Sequence, residues 1–433
     1  MKTPNFLSFF KNSLRNKSLR NGLVNSTWII IGKILQILIS LIVGILTARF
    51  LGPTDYGLIS FSTTIITFFL IITNLGLENI IVKEISYNTD DTNKIIGTSI
   101  ALRIFMALFS IIIILISGFY LFSNSDLYLV LIIMSSLLIL KSFDFLDLYY
   151  QHFSKSSTTV KIRVVSFLVM VIYKIILLLF NASIFYFAAT LVVEAFFYSL
   201  LIGYKFFRVI NFEFSLKYSF YLLKSGFYFL LSTIFIYLYS EFDKFIIGDF
   251  LGTQSLGIYV SQISIANIWT IIPLALIQSF RPFILKQYKL DKKVFLKYFK
   301  YLLCLIFWIG ILFTFILFLL GNEISLFLYG VEFQGPIFLL PILSFSITLG
   351  YLGVARNIWI TAENFSAFTI YFFLIGSVSS IVMNLLFIRN FGLYGIAFTS
   401  LMTQVIILFF SPLIFRKTSS FTLLLLQAIL FKF

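Results

Sequence analysis

Long apolar runs recur through this chain, each about the length needed to cross a bilayer. A helix of about 20 apolar residues spans the roughly 30 Å hydrocarbon layer. Runs of that kind fall near 23–46, 58–80, 96–120, 127–148, 160–180 and 184–206, then near 226–247, 255–279, 301–320, 336–358, 365–388 and 392–415. In hydrocarbon the backbone has no water to bond to, so a span must satisfy its own N–H and C=O groups as a helix. The composition agrees, with 60% hydrophobic and 11% charged residues, against about 45–50% and about 25% in soluble domains. A water-soluble enzyme is excluded. Twelve spans use most of the apolar residues, and no second, soluble domain of any size is expected. The expected fold is an all-α polytopic membrane protein of about twelve transmembrane helices.

Charge placement sets the expected topology. The chain carries 32 Lys and Arg against 17 Asp and Glu. With both termini on the cytoplasmic side, 25 basic residues fall in inner segments and only Arg49 and Arg389 in outer loops. This is the positive-inside bias, and it accounts for the basic excess without nucleic acid. Residues 1–21 read as a basic cytoplasmic tail rather than a cleaved signal, because the apolar run that follows continues into span after span. The remaining divisions are a six-helix bundle over 22–207, an interfacial linker helix over 208–224, a second six-helix bundle over 225–415, and a cytoplasmic or interfacial tail over 416–433. A lone Cys304 and a lone His152 leave neither a disulfide nor a multi-histidine metal site. No metal and no cofactor are expected.

The halves repeat at an offset of 200. Phe50-Leu51-Gly52 and Gly57 return as Phe250-Leu251-Gly252 and Gly257, each set where the first span of its half meets an external turn. Gly52, Gly57, Gly252 and Gly257 are therefore read as structural turn positions. Each half has an even number of spans, so the repeat is parallel, with its axis along the membrane normal.

Several stretches resemble one family. The run Thr47-Ala48-Arg49-Phe50-Leu51-Gly52-Pro53-Thr54-Asp55-Tyr56-Gly57 is similar to the first external turn of Wzx-like polysaccharide-biosynthesis flippases. These belong to the multidrug/oligosaccharidyl-lipid/polysaccharide exporter superfamily. Asp243 to Gly248 with Gly257-Ile258-Tyr259, Leu328-Tyr329-Gly330, and Asn384 with Phe391 to Ala397 resemble later turns of the same family. The resemblance implies two six-helix bundles and alternating access. It also implies export of a polyprenyl-diphosphate-linked oligosaccharide from the inner to the outer leaflet of a prokaryotic plasma membrane, for surface polysaccharide biosynthesis. Membrane lipids, a coupling proton or sodium ion, and polysaccharide assembly enzymes are the partners it suggests.

Ionisable residues inside spans are costly and mark functional sites by default. Lys33, Arg103, Lys174, Lys244 and Arg281 are candidate contacts for a diphosphate. Each has a plainer reading. Lys33 can snorkel to the headgroups, Lys244 can pair with Glu241, and Arg281 can be an inner-side anchor. Glu241, Asp243 and Glu194 are candidates for carrying the coupling ion, although Glu194 equally serves to neutralise Lys174 or Arg103. Lys141, Asp144 and Asp147 read as a charge ladder on one helix face. Pro273 and Pro341 are placed inside spans as potential kinks. Phosphate-loop, serine-elbow and zinc-helix patterns are missing. The alternatives left open are a drug or organic-cation antiporter of the same superfamily, a peptidoglycan-precursor flippase, and a membrane glycan polymerase or ligase.

Overall fold

A computed structural model describes residues 17–88, 91–122, 125–153, 156–206 and 212–432. Every regular element among them is helical. Ten helices are long and apolar enough to cross a membrane. Two of these ten are broken at a glycine, and dividing them there yields twelve spans. The run Lys17–Asn74 breaks at Gly52, where φ is +71°, into α1 (17–51) and α2 (53–74). The run Phe368–Ile414 breaks at Gly392, where φ is +54°, into α11 (368–391) and α12 (393–414). Only glycine adopts such angles without steric cost.

Between these lie α3 (Thr92–Phe122), α4 (Asp126–His152), α5 (Ser156–Leu179), α6 (Ile184–Phe206), α7 (Leu216–Ser240), α8 (Gly252–Leu290), α9 (Lys292–Tyr329) and α10 (Leu339–Ala362). Residues up to Leu46 form one compact unit and those from Thr47 onward another.

Several boundaries differ from the sequence reading, for local reasons. The linker expected over 208–224 is, from Leu216, the opening turns of α7 itself. Asp291 ends α8 and caps α9, its Oδ1 accepting from the backbone N–H of Lys293 at 2.7 Å, as an N-cap aspartate does. Pro341 sits in the first turn of α10, where its missing N–H costs nothing, so it starts a helix rather than kinking one. Pro273 follows a 3₁₀ turn at Ile268–Thr270 that interrupts α8. Beyond α12, Ser420–Ile429 is a helix with Phe421, Leu425 and Ala428 buried. It packs on the first half of α9, with Phe299 and Phe421 in ring contact.

The offset-200 repeat is realised as a reciprocal backbone contact. A Cβ added to Gly57 would lie 1.8 Å from the Thr253 carbonyl oxygen, and one added to Gly257 would lie 1.9 Å from that of Pro53. Residues 53 and 57 therefore meet 253 and 257 as a two-fold pair would. The α2–α7 seam continues from there. Phe61 stacks on Phe245, Tyr237 donates to the Thr64 carbonyl at 2.5 Å, and Gly76 lies against the backbone of Gly226 and Leu230. Beyond it Tyr221 donates to Glu84 and Tyr218 to Asp91. The hydrogen bond from Lys94 holds the Asp91 carboxyl below the usual carboxylate range.

Three buried clusters follow from this arrangement. At the Gly57/Gly257 end one core is shared by both halves, joining Phe61, Ile66 and Val130 to Ile246, Leu256 and Ile388. Toward the opposite end the core divides. One cluster, around Phe295, Leu303, Leu352 and Phe372, belongs to the second half. The other, around Ile81, Ile96, Phe145 and Ile202, belongs to the first, with Leu222 of α7 joining it at the seam.

Gly57→Ala or Gly257→Ala must force the two backbones apart, since the opposing atoms are carbonyl groups that cannot rotate away. Overpacking of this kind typically costs about 1–3 kcal/mol. Each variant should unfold at lower temperature than wild type in detergent, whereas Gly353→Ala, with open space at its Cβ position, should not. Equal melting of all four proteins would contradict the contact.

Candidate functional site

The described residues place polar and charged groups inside each half. In the second half they gather where α7 ends. Glu241 leaves helical geometry, with φ −128° and ψ −13°, and a short helix, Phe242–Phe250, restarts beyond it. This break turns neighbouring side chains apart. Lys244 Nζ meets Glu241 Oε2 at 2.5 Å in a partly exposed ion pair. Asp243 faces inward and is only 9% exposed. Its Oδ1 accepts from the Lys244 backbone N–H at 2.8 Å and its Oδ2 from the Tyr259 hydroxyl at 2.5 Å. Tyr259 is also within reach of Ser400, so the short helix Phe242–Phe250, α8 and α12 meet through one carboxylate and one phenol. Buried on α11 and α12, Asn384 bonds to Ser380 and Thr399.

In the first half, α2, α4 and α6 enclose a cavity of about 100 Å³ whose polar lining is Thr63, Thr67, Lys141 and Glu194. That volume is room for a few waters. Lys141 reaches Asp144 at 3.6 Å, and Arg163 reaches Asp147 at 3.4 Å while lying over the Tyr198 ring. Lys174 lies within electrostatic range of Glu194. Arg103 is buried and stands 4.3 Å over the Phe145 ring. Its nearest acidic charges are Asp144 and Glu78, not Glu194. Its Nε and Nη1 find no hydrogen-bond acceptor among the described residues.

The candidates thus divide by position. Asp243, Glu241 and Lys244 come together, and Glu194 comes together with Lys174 and Lys141. Arg103 stands apart on an aromatic face. Arg281 is exposed beside Pro282 on α8. The side chain of Lys33 lies outside the described residues. Gly52 and Gly252 both adopt positive φ, +71° and +83°, and Gly57 and Gly257 make the close contact given above.

One interior cation stands near the end of its apolar run in the sequence. Arg356, two residues before the end of the run 336–358, lies inside α10 and is 2% exposed. Its Nη1 donates to the Ile407 carbonyl at 2.7 Å, and its guanidinium lies 4.5 Å from the Phe372 ring centroid. Ile407 belongs to a π-helical turn, Ile406–Phe410, whose wider coil frees a carbonyl that an α-helix would use. Nothing in the local sequence marks that turn. Tyr259 was visible only as part of a turn motif, and Gln262, donating to Ser325 and to the Phe333 carbonyl, was not singled out.

The twelve-span fold with its parallel repeat is similar to that of solved transporter structures. An inward-facing MATE family multidrug transporter superimposes with TM-score 0.68 at 13% identity, covering 92% of this chain and 93% of that one. The lipid II flippase MurJ in an inward closed conformation gives 0.68 at 14% identity, covering 92% and 90%. A transporter of the multidrug/oligosaccharidyl-lipid/polysaccharide exporter superfamily from Pyrococcus furiosus, described as having a binding pocket of reverse polarity, gives 0.59 at 12%, covering 93% and 92%. By sequence, residues 23–286 match the polysaccharide biosynthesis protein family, and the chain belongs to that family. No curated protein matches it significantly.

The two buried arginines should respond differently to replacement by methionine. Arg356→Met removes one of the two donors to the Ile407 carbonyl, which keeps the Ser411 hydroxyl at 2.7 Å, and should cost about 1 kcal/mol. Arg103→Met removes a buried charge that makes few hydrogen bonds, and such replacements are often neutral or stabilising. Thermal unfolding of the two variants should rank Arg103→Met above Arg356→Met; the reverse order would refute these assignments.

Proposed function

We propose that this protein is a flippase that moves a polyprenyl-diphosphate-linked oligosaccharide repeat unit from the inner to the outer leaflet by alternating access, coupled to an ion. The observation that carries this reading is the division of the core: shared at the Gly57/Gly257 end, separate in each half at the other. Such a molecule is closed at one end and can part at the other by rocking. If the basic segments face the cytoplasm, as the positive-inside bias indicates, the closed end is external and this is the inward-facing state.

The interior charges suit an anionic headgroup. Arg103, Lys141, Lys174 and Arg356 supply positive charge within the bundles, and a cation in a low-dielectric interior attracts phosphate more strongly than one in water. Membership of the polysaccharide biosynthesis family supports a lipid-linked glycan as cargo. Asp243, held by Tyr259, is the best placed acid for a coupling proton or sodium ion, and Glu194 beside its small cavity is the second. A coupling ion shifts the equilibrium only by binding the two states with different affinity. The polymerase or ligase alternative loses support, because α9 runs on to Tyr329 and leaves only residues 330–338 before α10. A drug antiporter stays in contention on fold alone.

Lipid extracts from a deletion strain distinguish these readings. Polyprenyl-diphosphate sugars should accumulate and be shielded from an external glycosidase. Accumulation on the accessible side would instead indicate a polymerase or ligase acting after translocation, and no accumulation would favour the antiporter. In proteoliposomes Asp243→Asn should abolish the stimulation of transport by an imposed ion gradient; retained stimulation would remove Asp243 from that role.

A further inference from the structure

Both halves carry basic residues on the side away from the Gly57/Gly257 contact. On the first half Lys94 is paired to Asp91 and Arg163 to Asp147, whereas Lys83, Lys161 and Lys205 are exposed and form no ion pair among the described residues. On the second half Lys292 is paired to Glu363 at 2.6 Å. Lys289, Lys293, Lys297, Arg416 and Lys417 are exposed and form no ion pair among the described residues. They come from the end of α8, the start of α9 and the turn after α12, and tertiary packing brings them to one end of the bundle. Lys293 and Lys297 stand four residues apart on one face of α9, while Phe295 and Phe299 fill the interior.

The helix Ser420–Ile429 supplies a second, independent observation. It buries Phe421, Leu425 and Ala428 against the bundle yet leaves Leu423, Leu426 and Leu430 exposed at 63%, 43% and 61%. Arg416 and Lys417 precede it, and Lys432 follows it, its carbonyl accepting from Lys300 Nζ at 3.1 Å. An exposed leucine row flanked by cations is the pattern of a helix lying in a membrane interface. Water or an acidic soluble protein would satisfy the lysines and leave the leucines exposed. A layer with anionic headgroups above acyl chains satisfies both.

We infer that this end of the second half is a docking surface for anionic phospholipid, with Lys289, Lys293, Lys297, Arg416 and Lys417 against headgroup phosphates and Leu423, Leu426 and Leu430 in the acyl region.

The test compares the full chain in nanodiscs of phosphatidylcholine with and without phosphatidylglycerol, following retained lipid by native mass spectrometry and unfolding by temperature. Wild type should retain phosphatidylglycerol and melt higher in its presence. Replacing Lys289, Lys293, Lys297, Arg416 and Lys417 together by glutamine should lower that retention by about fivefold per charge at low salt and remove the rise in melting temperature. It should leave melting in phosphatidylcholine unchanged, which shows that the variant is folded. Leu423→Ser with Leu426→Ser should weaken retention without altering charge. Lys94→Gln on the first half, where the amine is already paired to Asp91, should have little effect. Equal phosphatidylglycerol retention by wild type and the five-site variant would overturn the inference. So would binding of an acidic protein that depends on the same residues without any lipid dependence. Neither result bears on which glycan is flipped, because no transport is measured.

Discussion

The reciprocal approach of Gly57 to Thr253 and of Gly257 to Pro53 is the contact on which the arrangement of the two halves depends. Backbone meets backbone there with no side chain between, so the distance between α2 and α8 is set by the absence of two Cβ atoms. Because the contact obeys the repeat, it can form only if the halves face each other about an axis along the membrane normal. The shared apolar core forms behind it, and the α2–α7 seam extends it through Phe61, Tyr237 and Gly76. At the far end the core divides between the halves, except that α7 stays against the first half through Leu222, Tyr218 and Tyr221. A molecule so built has one joined end and one divided end, the minimum needed for rocking.

The second constraint is the cost of charge in hydrocarbon, which each buried ion meets in its own way. Asp243 is held by a backbone N–H and a phenol. Glu241 and Lys244 neutralise each other at the break after α7. Lys141 and Glu194 line a cavity large enough for water, and Lys174 is within electrostatic range of Glu194. Arg103 and Arg356 lie over aromatic rings, whose faces attract cations, and Arg356 gains a carbonyl from a π turn. In a chain with 56 Phe and 23 Tyr, aromatic faces are available wherever a guanidinium is buried. The aromatic abundance therefore supports charge burial as well as packing.

The number of spans, the parallel repeat and the turn glycines Gly52 and Gly252 were legible in the sequence, because each depends on local rules, whereas Gly57 and Gly257 lie inside helices and serve the backbone contact instead. Apolar run length determines whether a segment can cross a bilayer, and glycine takes positive φ without steric cost. The family was legible for the same reason, its turns being short and contiguous. Helix ends were less so. The break at Gly52 needs no loop, so the outer turn read over 47–57 is mostly helix, and the linker merges with α7 because nothing between Leu216 and Ser240 stops a helix.

What the tertiary structure alone decided is which charges face one another. Sequence placed Glu241, Asp243 and Lys244 together but gave no means of choosing the buried acid, since that choice rests on Tyr259 sixteen residues away on another helix. It placed Arg356 at a helix end, where in fact a π turn fifty-one residues later holds it inside. The basic surface on the second half is likewise assembled from segments more than a hundred residues apart. Hydrophobicity acts along the chain and survives any change of partner, so it can be read from one dimension. Charge compensation depends on distance between elements, and distance exists only once the helices have packed.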